Sequence, residues 1–254
     1  MSVLLEARGI SKRFGGVQAL RDVSLTIRHH EIYGLIGPNG AGKTTFFNVL
    51  TGLYTRDAGA VRFDGAPLQL GSPHRVAQAG IARTFQNIRL FGNMTALENV
   101  MVGRHVRTKA GVIGAVVRDR GTREEEAAIR RRAEELLHYV GVEDRADDLA
   151  KNLSYGDQRR LEIARALATD PKLLCLDEPA AGMNGTETEG LRLLIEGIRA
   201  DGTTILLIEH DVKLVMGLCD RVAVLDYGAL VIEDVPSVVQ HDPRVIEAYI
   251  GVAA

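Results

Sequence analysis

The 254-residue chain has no tryptophan, two cysteines, seven prolines and few aromatic residues, at 5%, and neither sign of charge prevails, with 31 basic groups against 33 acidic ones. Each shortage excludes something. Cys175 in LLCLDEP and Cys219 in MGLCDRV lie far apart, with no CxxC spacing and no clustered histidine, so both read as reduced core residues rather than a disulfide framework or a metal site. The near-neutral balance gives no overall drive toward a nucleic-acid backbone or an anionic membrane, and no nucleic acid is expected as a partner, although a local basic groove is left open. Long apolar runs are missing too. The stretches AGVIGAVV, from Ala110 to Val117, and TTILLI, from Thr203 to Ile208, fall far below the roughly 20 residues of a membrane span. MSVLLEARG lacks the basic flank and apolar stretch of a secretory signal, so the chain is expected to be cytosolic.

Hydrophobic residues at 46% and charged residues at 25% describe an ordinary globular chain with a sizeable core, of a length that suits one large α/β unit or a core with a satellite lobe. Short strand-like stretches come first: Leu4 to Arg8, Ser24 to Ile27, Ile32 to Ile36, and Ala60 to Phe63 before the turn pair Asp64-Gly65. Between Asn93 and Thr169 the pattern turns helical, in TALENVMVGRH, RDRGTREEEAAIRRRAEELLHYVGV and DQRRLEIARALAT. After Lys172 buried strands and helices alternate (KLLCLDEP, GTETEGLRLLIEGIRADG, TTILLIEHD, VKLVMGLC, DRVAVLDYG), the signature of a mainly parallel sheet covered on both faces. The fold expected is thus α/β, with an N-terminal antiparallel β subdomain and an inserted helical subdomain. The core is assigned to 1–93 and 161–254, and the helical part to 94–160.

Chemistry enters at Gly37-Pro38-Asn39-Gly40-Ala41-Gly42-Lys43-Thr44-Thr45, between the strand IYGLI and the helix FFNVLTGL. This order fits a phosphate-binding loop: glycines let backbone amides point inward, the following helix turns its positive end to the phosphates, Lys43 reaches the outer phosphates, and Thr44 is placed for Mg²⁺. A dinucleotide fold would want GxGxxG here instead. The second element is Leu173 to Pro179, an apolar strand that delivers Asp177 and Glu178 at its end. Asp177 suits Mg²⁺ through its water shell, and Glu178 is free to polarise a water attacking a γ-phosphate. Gln86 in IARTFQN and His210 in LLIEHD follow further strand ends.

These residues resemble the ATP-binding subunits of ABC transporters over nearly the whole chain, which implies a P-loop NTPase core and ATP as ligand. The family's LSGGQ motif is present in altered form as Leu153-Ser154-Tyr155-Gly156-Asp157-Gln158. By that resemblance Ser154 and Gly156 bind the γ-phosphate held in a partner's loop, whether the partner is a homologous second ATPase or another copy. Gln86 becomes a catalytic and Mg²⁺-contacting residue, His210 the switch histidine, and Phe14 in KRFGGVQAL the ring that stacks on adenine. Asn184 stands where the family usually has an acid. The stretches ARTFQNIRLFGNMTALENVMVGRH, LDEPAAGMN and VIEAYIG look like the branch serving high-affinity branched-chain amino-acid importers. That branch implies a peripheral place on the cytoplasmic face of a bacterial inner membrane, two permease subunits, with Ile88 to Glu98 as the segment that receives the permease's coupling helix, and, indirectly, a periplasmic solute-binding protein. An ATPase of a urea or lipopolysaccharide transporter is the nearest rival. A soluble ABC ATPase would want tandem domains or a long coiled coil, and no sustained heptad run occurs.

Overall fold

Three five-residue strands with every residue buried organise the larger part of the chain: β3 (Ile32–Ile36), β7 (Leu173–Asp177) and β8 (Thr204–Ile208). Strands buried on both faces read as unbroken apolar runs because helices cover the sheet above and below. The computed structural model describes residues 2–107 and 120–250, so AGVIGAVV lies outside them. By compactness the chain falls into two units, Met1–Arg83 with Lys172–Ala254, and Thr84–Pro171. Among the described residues no helix is long and apolar enough to cross a membrane.

In the first unit a six-stranded sheet runs β10-β9-β3-β8-β7-β6, where β6 is Ile81–Arg83, β9 is Arg221–Asp226 and β10 is Ala229–Asp234. All neighbours are parallel except the edge pair β9 and β10. A second, antiparallel sheet has the order β2-β1-β4-β5, from Val3–Phe14 (β1), Val17–Arg28 (β2), Ala58–Phe63 (β4) and Ala66–Pro67 (β5). The first two strands run past the apolar stretches that mark them, because their pairing shifts register at several points and so breaks the alternation. Helix α1 (Lys43–Leu50) buries Phe46, Phe47, Val49 and Leu50 in a core shared by residues of both sheets. Cys175 and Cys219 are buried free thiols, and burial pushes the Cys175 thiol up to about 12, which leaves it inert. Helix α2 (Pro73–Ala79) leads into β6.

The second unit is built from α3 (Ala96–Arg104), α4 (Arg120–Val140) and α5 (Tyr155–Leu167), which pack on one another. Thr95 and Glu98 form a reciprocal capping box that starts α3. Along α4 the buried residues Ile129, Ala133, Leu136, Leu137 and Val140 recur at helical spacing, while the arginines and glutamates between them face solvent. The remaining helices of the first unit are α6 (Gly185–Ala200), α7 (Val212–Leu218), α8 (Pro236–Val239) and α9 (Pro243–Ile250). Asn184 caps α6, accepting from the amides of Thr186 and Glu187, so it has a local structural task where the family usually places an acid.

Candidate functional site

In parallel sheets, ligands bind beyond the carboxyl ends of the strands. Here the ends of β3, β7 and β8 carry the loop from Gly37, the pair Asp177-Glu178, and Glu209-His210. Gly37 sits at φ 149°, and a Cβ there would lie 2.1 Å from the Leu225 carbonyl oxygen, so the loop leaves β3 through a gap that only glycine fits. Gly42, at φ 101°, turns the chain into α1 against the Ala19 carbonyl. The Gly37 amide donates to Tyr249 Oη of α9 at 2.8 Å, and the Gly228 amide donates to the Ala41 carbonyl at 2.9 Å. The loop is therefore braced from α9 and from the β9–β10 turn.

Lys43 is buried, and its ammonium donates to the carbonyls of Gly37 (2.6 Å) and Pro38 (3.0 Å). Burial lowers its pKa, and the fields of Glu178 and Asp177 act the other way. Asn39, Gly40 and Thr44 are exposed at the loop's surface, and Pro38 and Thr45 are partly so. Asp177 is only 2% exposed, and Arg83 approaches its Oδ2 at 3.4 Å while also donating to Asn48 Oδ1 (2.8 Å) and Thr51 Oγ1 (2.9 Å). Arg83, which the sequence pattern left unremarked, thus ties β6 to α1 and to the first carboxylate. Glu178 lies 3.7 Å from His210 Nδ1 through its Oε2. Phe14 is exposed, meets Tyr54 edge-on at 5.2 Å, and has the Lys12 ammonium 5.3 Å from its ring centre. The structure thus brings Phe14, the loop, Asp177, Glu178 and His210 into one unit.

Gln86, Ser154 and Gly156 belong to the other unit. Ser154 caps α5, accepting from the Asp157 amide (3.2 Å) and donating its hydroxyl to Asp157 Oδ2 (2.7 Å). The acid that departs from the family motif therefore occupies the serine's hydroxyl proton.

Behind it lies a buried pair that the sequence reading passed over. Arg159 and Glu162, both fully buried, are 3.1 Å apart. Arg159 donates to the carbonyls of Phe85 (2.6 Å) and Gln86 (2.8 Å) and to Tyr155 Oη, while Glu162 accepts from the amides of Phe85 and Arg89. One helix thus holds the backbone around Gln86. Burial raises the Glu162 carboxyl, opposed first by Arg159. Arg159→Met leaves that carboxylate with Arg165 at 3.9 Å as its one remaining cationic neighbour among the described residues, and is expected to cost up to about 3–5 kcal/mol. Because the folded carboxyl is raised, the added penalty is largely absent below the ordinary carboxylate range, near pH 4.3, and grows as pH rises through the raised value, so the melting loss at about pH 8 should exceed that at about pH 5. Arg159→Met/Glu162→Leu should recover most of the loss. Equal melting of Arg159→Met and wild type at both pH values would show the pair to be energetically idle.

Ahead of α3, Phe91 and Met94 are exposed, and the buried Asn99 side chain fixes their turn by accepting from the Phe91 amide (2.9 Å) and donating to its carbonyl (3.1 Å).

A family model described as ABC transporter matches residues 20–181. A protein of Salmonella typhimurium named as the high-affinity branched-chain amino acid transport ATP-binding protein LivG is 45% identical over 251 residues, 98% of each chain. Among solved structures, the ADP conformation of an ATP-binding cassette of an ABC transporter aligns with a TM-score of 0.86 at 31% identity, over 99% of this chain and 100% of that one. A dimeric cassette bound to ADP and phosphate, in a post-hydrolysis state, aligns at 0.77 and 26% identity, over 92% and 99% of the two chains.

Proposed function

Since the chain belongs to the ABC transporter family and supplies its ATP-hydrolysing subunit, we propose that it spends MgATP to drive a bacterial importer of branched-chain amino acids. The observation that carries the reading is the convergence of Lys43, Asp177, Glu178 and His210 on the carboxyl ends of β3, β7 and β8, together with the likeness in sequence over almost the full length.

The donor set fits magnesium. Thr44 offers a hydroxyl and Asp177 a carboxylate, hard oxygens that leave most of the coordination to phosphates and water, as this ion prefers, and no cluster of three metal-binding side chains occurs among the described residues. The ion would supply charge neutralisation at the phosphates. Lys43 and the loop amides hold the phosphates, Phe14 stacks on the adenine, and Glu178 orients and deprotonates the attacking water while His210 contacts the same phosphate. Ser154 and Gly156 at the start of α5 face the nucleotide of a second ATPase subunit, with the helix end presented to the γ-phosphate. The segment Ile88 to Glu98, with Gln86 before it, receives a permease subunit at the cytoplasmic face of the membrane, and the periplasmic solute-binding protein acts on the far side.

The decisive experiment is uptake. The complex isolated with its permeases and binding protein, placed in liposomes with enclosed ATP, is expected to accumulate leucine, isoleucine and valine. Uptake of urea in place of these amino acids would overturn the substrate assignment.

The altered signature motif makes its own prediction. Asp157 stabilises the start of α5 by about 0.3–1 kcal/mol but opposes an incoming polyanion and holds the Ser154 proton. Asp157→Gln is therefore expected to lower the melting temperature slightly, tighten ATP-driven dimerisation and reduce the ATP needed for half-maximal turnover, with gains that shrink as salt rises. Unchanged dimerisation at low salt would remove the electrostatic role of Asp157.

A further inference from the structure

Glu178 has φ 46°, the left-handed region that a non-glycine residue adopts at a cost, and such strain persists only where neighbours enforce it. Its amide donates to the Ile208 carbonyl at 2.8 Å. The next restraint comes from a residue to which neither the sequence motifs nor the reading above gives a role. Glu209 follows β8, is 1% exposed, and accepts the Ala180 amide on Oε1 at 2.9 Å, so a buried carboxylate grips the turn two residues after Glu178. Its other oxygen faces the His210 amide at 3.2 Å and the His210 ring at 3.7 Å from Nδ1. That ring nitrogen is also 3.7 Å from Glu178 Oε2, so it stands between two carboxylates at ion-pair rather than hydrogen-bond distance. Among the described residues the His210 ring is the sole basic side chain within ion-pair distance of Glu209.

A carboxylate is costly to bury without a full cationic partner, and burial indeed pushes Glu209 above the usual carboxylate range, opposed first by the Ala180 and His210 amides. An apolar residue would fill the same space at the end of an apolar strand with less penalty. What the carboxylate adds is a two-ended clamp: one oxygen on the segment that carries Glu178, the other on the segment that carries His210.

We propose that Glu209 is a positioning residue, which fixes the turn after Glu178 and the backbone of His210 to each other so that the two groups meet the γ-phosphate in one set arrangement. The inference rests on the reading of Glu178 and His210 as the groups that act on water and phosphate. Glu209 itself touches neither nucleotide nor water in this scheme, so its loss should slow chemistry without weakening ATP binding.

The test is steady-state turnover and ATP affinity of the full chain, alone and in the transporter complex, for Glu209→Ala, Glu209→Gln and Glu209→Met. Glu209→Ala and Glu209→Met are expected to lower kcat by about tenfold to a hundredfold, the scale of a misplacement on the order of 1 Å, with KM and ATP affinity within about twofold of wild type. Glu209→Gln keeps an oxygen for the Ala180 amide but turns an NH₂ donor toward the His210 amide, so it should recover part of kcat. If Glu209→Ala does not fold, Glu209→Met, which preserves volume without an acceptor oxygen, carries the same expectation against Glu209→Gln. Wild-type kcat in the alanine or methionine variant overturns the proposal, as does a glutamine variant no better than methionine, or a parallel loss of affinity and kcat. Glu178→Gln is assayed beside them. If it turns over normally, the catalytic reading falls and this inference with it; if it is inactive while Glu209→Ala is normal, this inference alone falls.

Discussion

Glu178→Gln is expected to cut steady-state ATP turnover by at least about a hundredfold while MgATP still binds and a closed, ATP-bound dimer accumulates. The amide keeps the size of the side chain and can still accept a hydrogen bond, so the strained backbone at φ 46° and its bond to Ile208 have no reason to change. What disappears is the base. A carboxylate in this place acts on Lys43 through its field and stands 3.7 Å from His210 Nδ1, beyond direct hydrogen-bond reach of the ring. Proton transfer by a positioned side chain is worth about 10²–10⁴ in rate, which sets the expected loss. A related partner subunit can bring its own glutamate to one of two sites, so the measurement belongs on a homodimer or on a complex with both glutamates replaced. Turnover near wild type in that complex would take Glu178 out of the mechanism.

The glycine loop, both carboxylates and His210 were legible in the sequence because each sits where an apolar run stops. β3, β7 and β8 are wholly buried, so their ends are marked by the first residues that cannot be buried alone. The N-cap at Ser154 could be anticipated in the same way, from a hydroxyl residue before a helical pattern. What could not be read were pairings across distance. Nothing in VIEAYIG announces that the Tyr249 phenol accepts from the first amide of the glycine loop, and nothing in RRLEIARAL distinguishes the buried Arg159 from the neighbouring Arg160. Both arginines fit a solvated helix face by local pattern, and the tertiary fold decides which one is spent on the backbone around Gln86. Glu209 is hidden for the same reason: beside His210 it reads as one more polar residue at a strand end, and only the position of Ala180 reveals its task. The edge strand β6 is three residues long, too short for any periodicity to register.

Lys43→Ala is expected to weaken ATP binding by about tenfold to a hundredfold, since a hydrogen bond to a charged group is worth about 1.5–3 kcal/mol and every 1.4 kcal/mol is a factor of ten. The geometry explains why no neighbour replaces it. The Lys43 ammonium is drawn back over its own loop by the carbonyls of Gly37 and Pro38, which fixes its direction before the nucleotide arrives and lowers the entropy lost on binding. Burial opposes the charged form, and a triphosphate supplies negative charge that favours it. Its removal deletes two hydrogen bonds within the loop together with the burial penalty, so the melting temperature without nucleotide should change little, while the extra stability conferred by saturating ATP shrinks. Lys43→Arg should not rescue binding, because a planar fork cannot take the place of a compact ammonium between two carbonyls of a tight loop. Calorimetric titration with ATP, with circular dichroism to confirm the fold, checks all of this. Unaltered affinity in a folded Lys43→Ala protein would mean that the loop amides alone carry the phosphates and that the ammonium serves only to close the loop on itself.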